Sequence, residues 1–163
     1  MMTPTSRLHS RDAELAAAIA AAPEAGRAIA VLAAEAAIAS SGISAPEVIE
    51  TLRLLKSGQL AAAVKLRPEL ERLTEELEKP YFQELPAGIE AYVAPTPTAL
   101  AAFRRARAVN ALSVALAEDP IDAALEATYE AQASFLEPSS SSLLESIKER
   151  LRHGRVGLTT RSE

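Results

Sequence analysis

The chain has 163 residues, no cysteine, a formal net charge of −5 and a pI near 5.2. That length matches one ordinary domain and leaves little room for a second core. The absence of cysteine excludes disulfides, thiolate nucleophiles and cysteine-ligated zinc, and the mild acidity disfavours a nucleic-acid backbone as principal partner.

Of 79 apolar residues 35 are alanine, against 7 valines and 6 aromatic residues. Alanine is the strongest helix former and lets helix axes approach closely, whereas strands draw on β-branched and aromatic residues. The expected fold is therefore all-α: a compact, Ala-rich bundle of about six to seven helices, a single domain over 12–153, with a Pro/aromatic-rich connection in the middle.

Residues 1–11 carry Pro4 and small polar residues without periodicity and read as a flexible leader with a minor part in the core. The apolar run 15–22 is too short to span a bilayer, and Asp12 and Glu14 interrupt the stretch a signal peptide would need. The chain thus reads as mature, soluble and cytoplasmic. Asp12 suits the cap of a first short helix through Ala22. Pro23 suits the first position of a second, where its missing donor would be unpaired anyway. Gly42 supplies the stop. Between them 28–39 is apolar on every side except at Glu35, the pattern of a buried central helix.

Ser44 stands three residues before Glu47 with Pro46 between, the form of a capping box for a helix through Leu55. Val48, Leu52 and Leu55 give that helix an apolar face, and Ser57-Gly58 terminates it. A further helix begins near Gln59 and restarts at Pro68. There Leu66, Leu70, Leu73 and Leu77 form a stripe opposite Glu69, Glu71, Glu75, Glu76 and Glu78, over too few heptads for a coiled coil. Segment 79–97 holds four of the ten prolines and three of the six aromatics, Tyr81, Phe82 and Tyr92, and is expected to break the helical pattern.

Thr96 or Thr98 then caps a long helix ending near Glu118, and Asp119-Pro120 opens another to Leu136. The core side of this second helix is assigned to Ile121, Leu125, Thr128, Tyr129 and Leu136. Glu137-Pro138 and the serines at 139–142 read as a polar joint before a last helix over 143–153, closed by Gly154, with 154–163 a frayed tail. The stretch 117–124, Ala-Glu-Asp-Pro-Ile-Asp-Ala-Ala, is similar to a boundary between tetratricopeptide repeats. The likeness covers one junction, with no second copy about 34 residues away, and so implies no repeat array.

Several constellations bear on chemistry. Arg104, Arg105 and Arg107 would suit a phosphate or carboxylate clamp. If the helices flanking Asp119-Pro120 form a hairpin, however, Arg107 falls opposite Glu130 as an ordinary surface ion pair. Glu126 and Glu130 share a helix face with Tyr129 beside them, but the Glu-x-x-His spacing of a di-iron site is absent. His9 and His153 lie in end regions without an orienting partner in sequence, so neither a metal site nor a cofactor is implied. No glycine-rich phosphate loop, zincin motif or nucleophile elbow occurs. The basic end, Lys148, Arg150, Arg152, Arg155 and Arg161, is explained as well by the helix dipole as by an acidic partner.

The expected function is therefore non-catalytic binding of another protein, possessing basic character, by an adaptor, an inhibitor or an immunity-type neutraliser, with Tyr81, Phe82 and Tyr92 as contact residues. The competing expectation is a helical-bundle enzyme or small-ligand binder with a pocket built from Arg104, Arg105, Arg107, Glu126, Tyr129 and Glu130. Leftover apolar helix faces are compatible with a homodimer under either reading, and no membrane contact is expected.

Overall fold

Helix ends fall where a side chain or a proline can deal with orphan backbone groups. The Asp12 side chain accepts from Leu15 N at 3.1 Å, Thr96 from Ala99 N at 3.2 Å, and Asp119 from Ile121 N at 2.8 Å, as expected from their sequence positions. Gly42 closes its helix at φ +72°, a left-handed conformation open to glycine at little cost.

The computed structural model describes residues 6–84, 96–135 and 139–160, so Tyr92, Leu136, Glu137 and Pro138 lie outside the described residues. Among the described residues the regular structure is helical throughout. In chain order it runs α1 (Arg7–Arg11), α2 (Ala13–Ala20), a 3-10 turn (Pro23–Ala25), α3 (Gly26–Ser41), α4 (Pro46–Lys56) and α5 (Leu60–Val64). It continues with α6 (Arg67–Glu84), α7 (Pro97–Val114), α8 (Pro120–Ser134) and α9 (Ser139–Thr160). Helix α3 packs against both α7 and α8, which form a hairpin; α6 lies along α7, α1 and α2 lie on α8, and α9 touches α3. Among the described residues no single helix is long and apolar enough to cross a membrane.

The central seam is built from methyl groups. Ala30, Ala33, Ala34 and Ala37 of α3, Ala108 and Ala111 of α7, and Ala123, Ala124, Ala127 and Ala131 of α8 are all fully buried. Bulkier side chains, among them Leu8, Ile19, Ile29, Val48, Leu70, Leu112 and Ile147, are fully buried around that seam, each contributing roughly 1.5–3 kcal/mol by leaving water. Arg27 ties the start of α3 to the far end of α7 by donating to Ala115 O at 2.7 Å and Glu118 O at 3.1 Å. Burial lowers its pKa from the usual guanidinium value, partly offset by the nearby Asp119 carboxylate.

Several expectations are corrected. The end of the presumed leader is helical: Ser6 Oγ accepts from His9 N, and Leu8 is fully buried, so α1 belongs to the core. Ser44 and Glu47 do not form a capping box. Pro46 occupies the first helical turn, which makes Ala45 the cap and leaves Ser44 one position too early. Helix α6 does not break at Lys79 but runs through Pro80 to Glu84. An internal proline removes one backbone hydrogen bond, and here the continuing helix seats Tyr81 against Phe103 of α7 with ring centroids 4.4 Å apart. Helix α7 ends at Val114, short of Glu118. The serines at 139–142 lie inside the first turn of α9 instead of a joint, and α9 passes through Gly154 to Thr160. In α8 the fully buried positions are alanines together with Thr128 and Glu130, while Ile121, Leu125 and Tyr129 are only partly buried. Close helix approach selects the small side chains for the seam and moves the large ones to its margins.

Gly26 marks the tightest approach, since a Cβ there would lie 2.6 Å from Pro120 O, a backbone atom that cannot swing aside. Gly26→Ala should therefore destabilise the chain by about 1–3 kcal/mol in urea denaturation followed by circular dichroism, although alanine is the better helix former.

Candidate functional site

The charged residues singled out on α7 and α8 do meet, but in a chain of ion pairs that runs through the protein. Glu130 of α8 is fully buried. Its Oε2 accepts from Arg107 Nη1 of α7 at 3.0 Å, and its Oε1 accepts from Arg7 Nη2 of α1 at 2.6 Å. Arg7 also donates to Glu126 Oε2, through Nη2 at 2.7 Å and Nε at 3.1 Å. At the other end Arg107 pairs with Glu78 of α6. Four helices are thus joined by two guanidinium groups and three carboxylates.

Aromatic rings flank both cations. The Arg7 guanidinium sits 4.4 Å over the Tyr129 ring centroid, and that of Arg107 lies 5.2 Å from Phe103. Phe103 in turn stacks on Tyr81, whose edge meets Phe82 at 5.4 Å with an interplanar angle of 82°. Burial opposes the charge on Arg7, but its hydrogen bonds to Glu126 and Glu130 outweigh that effect and raise its pKa above the usual value.

The Arg107–Glu130 pairing follows the expected register of the hairpin, yet it is no surface ion pair. Glu130 has no exposure, and Arg107 retains 15% of its side-chain exposure. Glu78 is also turned away from the solvated face to which the sequence assigned it. It shares the inward face of α6 with Leu70, Thr74, Leu77 and Tyr81, at helical spacing. Arg104 is half-buried and Arg105 exposed, and neither joins the ion-pair chain.

Three members are not marked by the sequence: Arg7 falls in the stretch that reads as a leader, Glu78 falls on a face that reads as solvated, and Phe103 belongs to none of the expected constellations. Phe103 precedes Arg107 by four residues and so lies beneath it on one helix face, which is the signal that identifies it.

Each oxygen of Glu130 accepts one hydrogen bond from a guanidinium group, and Arg7 bridges Glu126 and Glu130. Among the described residues no three His, Asp or Glu side chains gather in a way that would hold a metal ion.

A separate groove opens between α3, the end of α4 and α9, with a volume of about 540 Å³. Ala28, Val31, Leu32 and Leu55 line it together with Arg27, Glu35, Lys56 and Arg150. None of the residues expected to form the alternative pocket borders this groove. Comparison with protein-family models, with curated proteins and with solved structures finds no match to this chain.

Removing one member of a buried pair strands its partner, whereas replacing both by apolar groups is often neutral. Arg107→Leu should cost about 3 kcal/mol of folding stability, and Arg107→Leu combined with Glu130→Leu should recover at least half of that loss. Arg7→Met removes one of the two donors to the buried Glu130 and should cost about 1–3 kcal/mol in the same urea titration.

Proposed function

We propose that this chain is a non-catalytic helical protein that acts by binding another protein of basic character, as an adaptor, an inhibitor or a neutraliser. The observation that carries this reading is the outer face of α6. Phe82 is 55% exposed there, an uncommon position for a phenylalanine. It rests edge-on against Tyr81, which is fixed in turn on Phe103, so the ring is held in place before any partner arrives. Preorganised aromatic side chains lose little entropy on association and are frequent anchors of interfaces.

Glu69, Glu71, Glu75 and Glu76 lie exposed on the same helix, interrupted by Arg72 and Lys79. An acidic face of this kind accelerates encounter with a cationic surface and discriminates against acidic ones. The pairing of Glu126 with Arg7, and of Glu130 with Arg7 and Arg107, also favours a binding role, because these carboxylates are engaged in holding helices together.

Crosslinking and pull-down from the native source with the full chain test the proposal. The expected result is one basic protein in near-stoichiometric yield. Its purified form should bind at least tenfold more weakly to Phe82→Ala, and its association should slow as salt rises from about 0.1 M to about 0.5 M. Recovery of no such protein, or equal binding by Phe82→Ala with its helical content intact, overturns it.

A further inference from the structure

We propose that the groove between α3, the C-terminal end of α4 and α9 binds a small amphipathic carboxylate, its hydrocarbon tail on the apolar floor and its head group against Arg150. Two independent features point there. The first is charge. The chain as a whole carries −5, yet the groove is lined by three cations, Arg27, Lys56 and Arg150, and one carboxylate, Glu35.

Those cations are not equivalent. Arg27 is committed to the carbonyls of Ala115 and Glu118, and Lys56 pairs with Glu35 across the rim. Arg150 is exposed and makes no side-chain hydrogen bond or ion pair among the described residues. It is therefore the cation left to meet an incoming anion, with Lys56 able to exchange its carboxylate partner for the ligand's.

The second feature is the floor. Val31 and Leu32 belong to the helix whose other side forms the alanine seam, and both remain partly exposed at the groove, with the buried Leu55 beside them. A volume of about 540 Å³ with a mainly apolar lining and a few convergent charges is of the kind that holds small ligands. A cationic rim above aliphatic side chains matches one chemistry in particular: an anionic head attached to a flexible apolar chain. A multiply charged polar anion would leave the floor unused, and a neutral hydrocarbon would leave Arg150 unused.

Dodecanoate, kept below its critical micelle concentration, is the probe, and titration calorimetry with methyl NMR of the full chain gives the readout. Saturable one-to-one binding is expected, with shifts concentrated on the Val31, Leu32 and Leu55 methyls. Shortening the probe to decanoate should weaken binding about tenfold, the effect of two buried methylenes. Arg150→Glu, an exposed change that leaves the fold intact, should weaken dodecanoate roughly tenfold and improve binding of dodecyltrimethylammonium. Overturning results are absence of saturable binding, shifts located elsewhere, indifference to Arg150→Glu, or binding to anionic vesicles without binding of free dodecanoate. Phe82 lies on α6, outside the groove, so its loss leaves this result unaffected and the two proposals fail separately.

Discussion

Where α3, α7 and α8 meet, many of the buried side chains are single methyl groups. Ala33, Ala34 and Ala37 on one helix, Ala108 and Ala111 on the next, and Ala124, Ala127 and Ala131 on the third are wholly excluded from water. Small side chains set the interaxial distance at the short end of the range open to packed helices, and every neighbouring element inherits that distance. It brings the Pro120 carbonyl within contact of Gly26, and it lets the Arg27 guanidinium reach the Ala115 and Glu118 carbonyls just past α7. A seam of this kind has little slack. It cannot absorb added volume by rotating a long side chain, because it has few long side chains to rotate.

A buried charge is expensive in such surroundings, which makes the position of Glu130 informative. Desolvating a carboxylate costs several kcal/mol unless its lone pairs are filled. Here each oxygen accepts one charged hydrogen bond, one from α1 and one from α7, and each guanidinium is covered on one side by an aromatic ring. A slip of α8 by four residues would preserve much of the alanine contact, since Ala123, Ala127 and Ala131 recur at that spacing on one face. The same slip would carry Glu130 away from both arginines and leave it buried and unpaired. The alanines thus determine how closely the helices pack, while the ion-pair chain determines which register they adopt.

The helical class, the caps at Asp12, Thr96 and Asp119, and the stop at Gly42 were legible because each depends on residues adjacent in sequence. So was the pairing of Arg107 with Glu130, which needs only a short hairpin connection. What escaped was set by contacts distant along the chain. Nothing near Arg7 announces that Glu126 and Glu130, more than a hundred residues later, will turn α1 from a leader into part of the core. The passage of α6 through Pro80 has the same origin, since local propensity argues for a break and packing of Tyr81 on Phe103 overrides it. The core of α8 is legible in part: Thr128 is fully buried and Leu125 and Tyr129 pack against the core from its margin, but the other fully buried positions are alanines and Glu130. Ranking residues by bulk selects Ile121 and Leu125, whereas close packing selects by smallness.

That preference for smallness also accounts for where large apolar side chains reach the surface. Residues too big for the seam sit outside it. Val31 and Leu32, on the side of α3 that faces α4 and α9, remain partly in water, and Ile49 on α4 and Phe82 near the end of α6 are exposed at 52% and 55%. Their charged surroundings then differentiate them. Along the outer face of α6 Glu69, Glu71, Glu75 and Glu76 outnumber Arg72 and Lys79, whereas on the rim around Val31 and Leu32 Arg27, Lys56 and Arg150 outnumber Glu35. One packing constraint therefore yields two partly exposed apolar surfaces with differently charged rims, and the two proposals, a cationic partner at the first and an anionic ligand at the second, each assign a patch a molecule whose charge its rim complements.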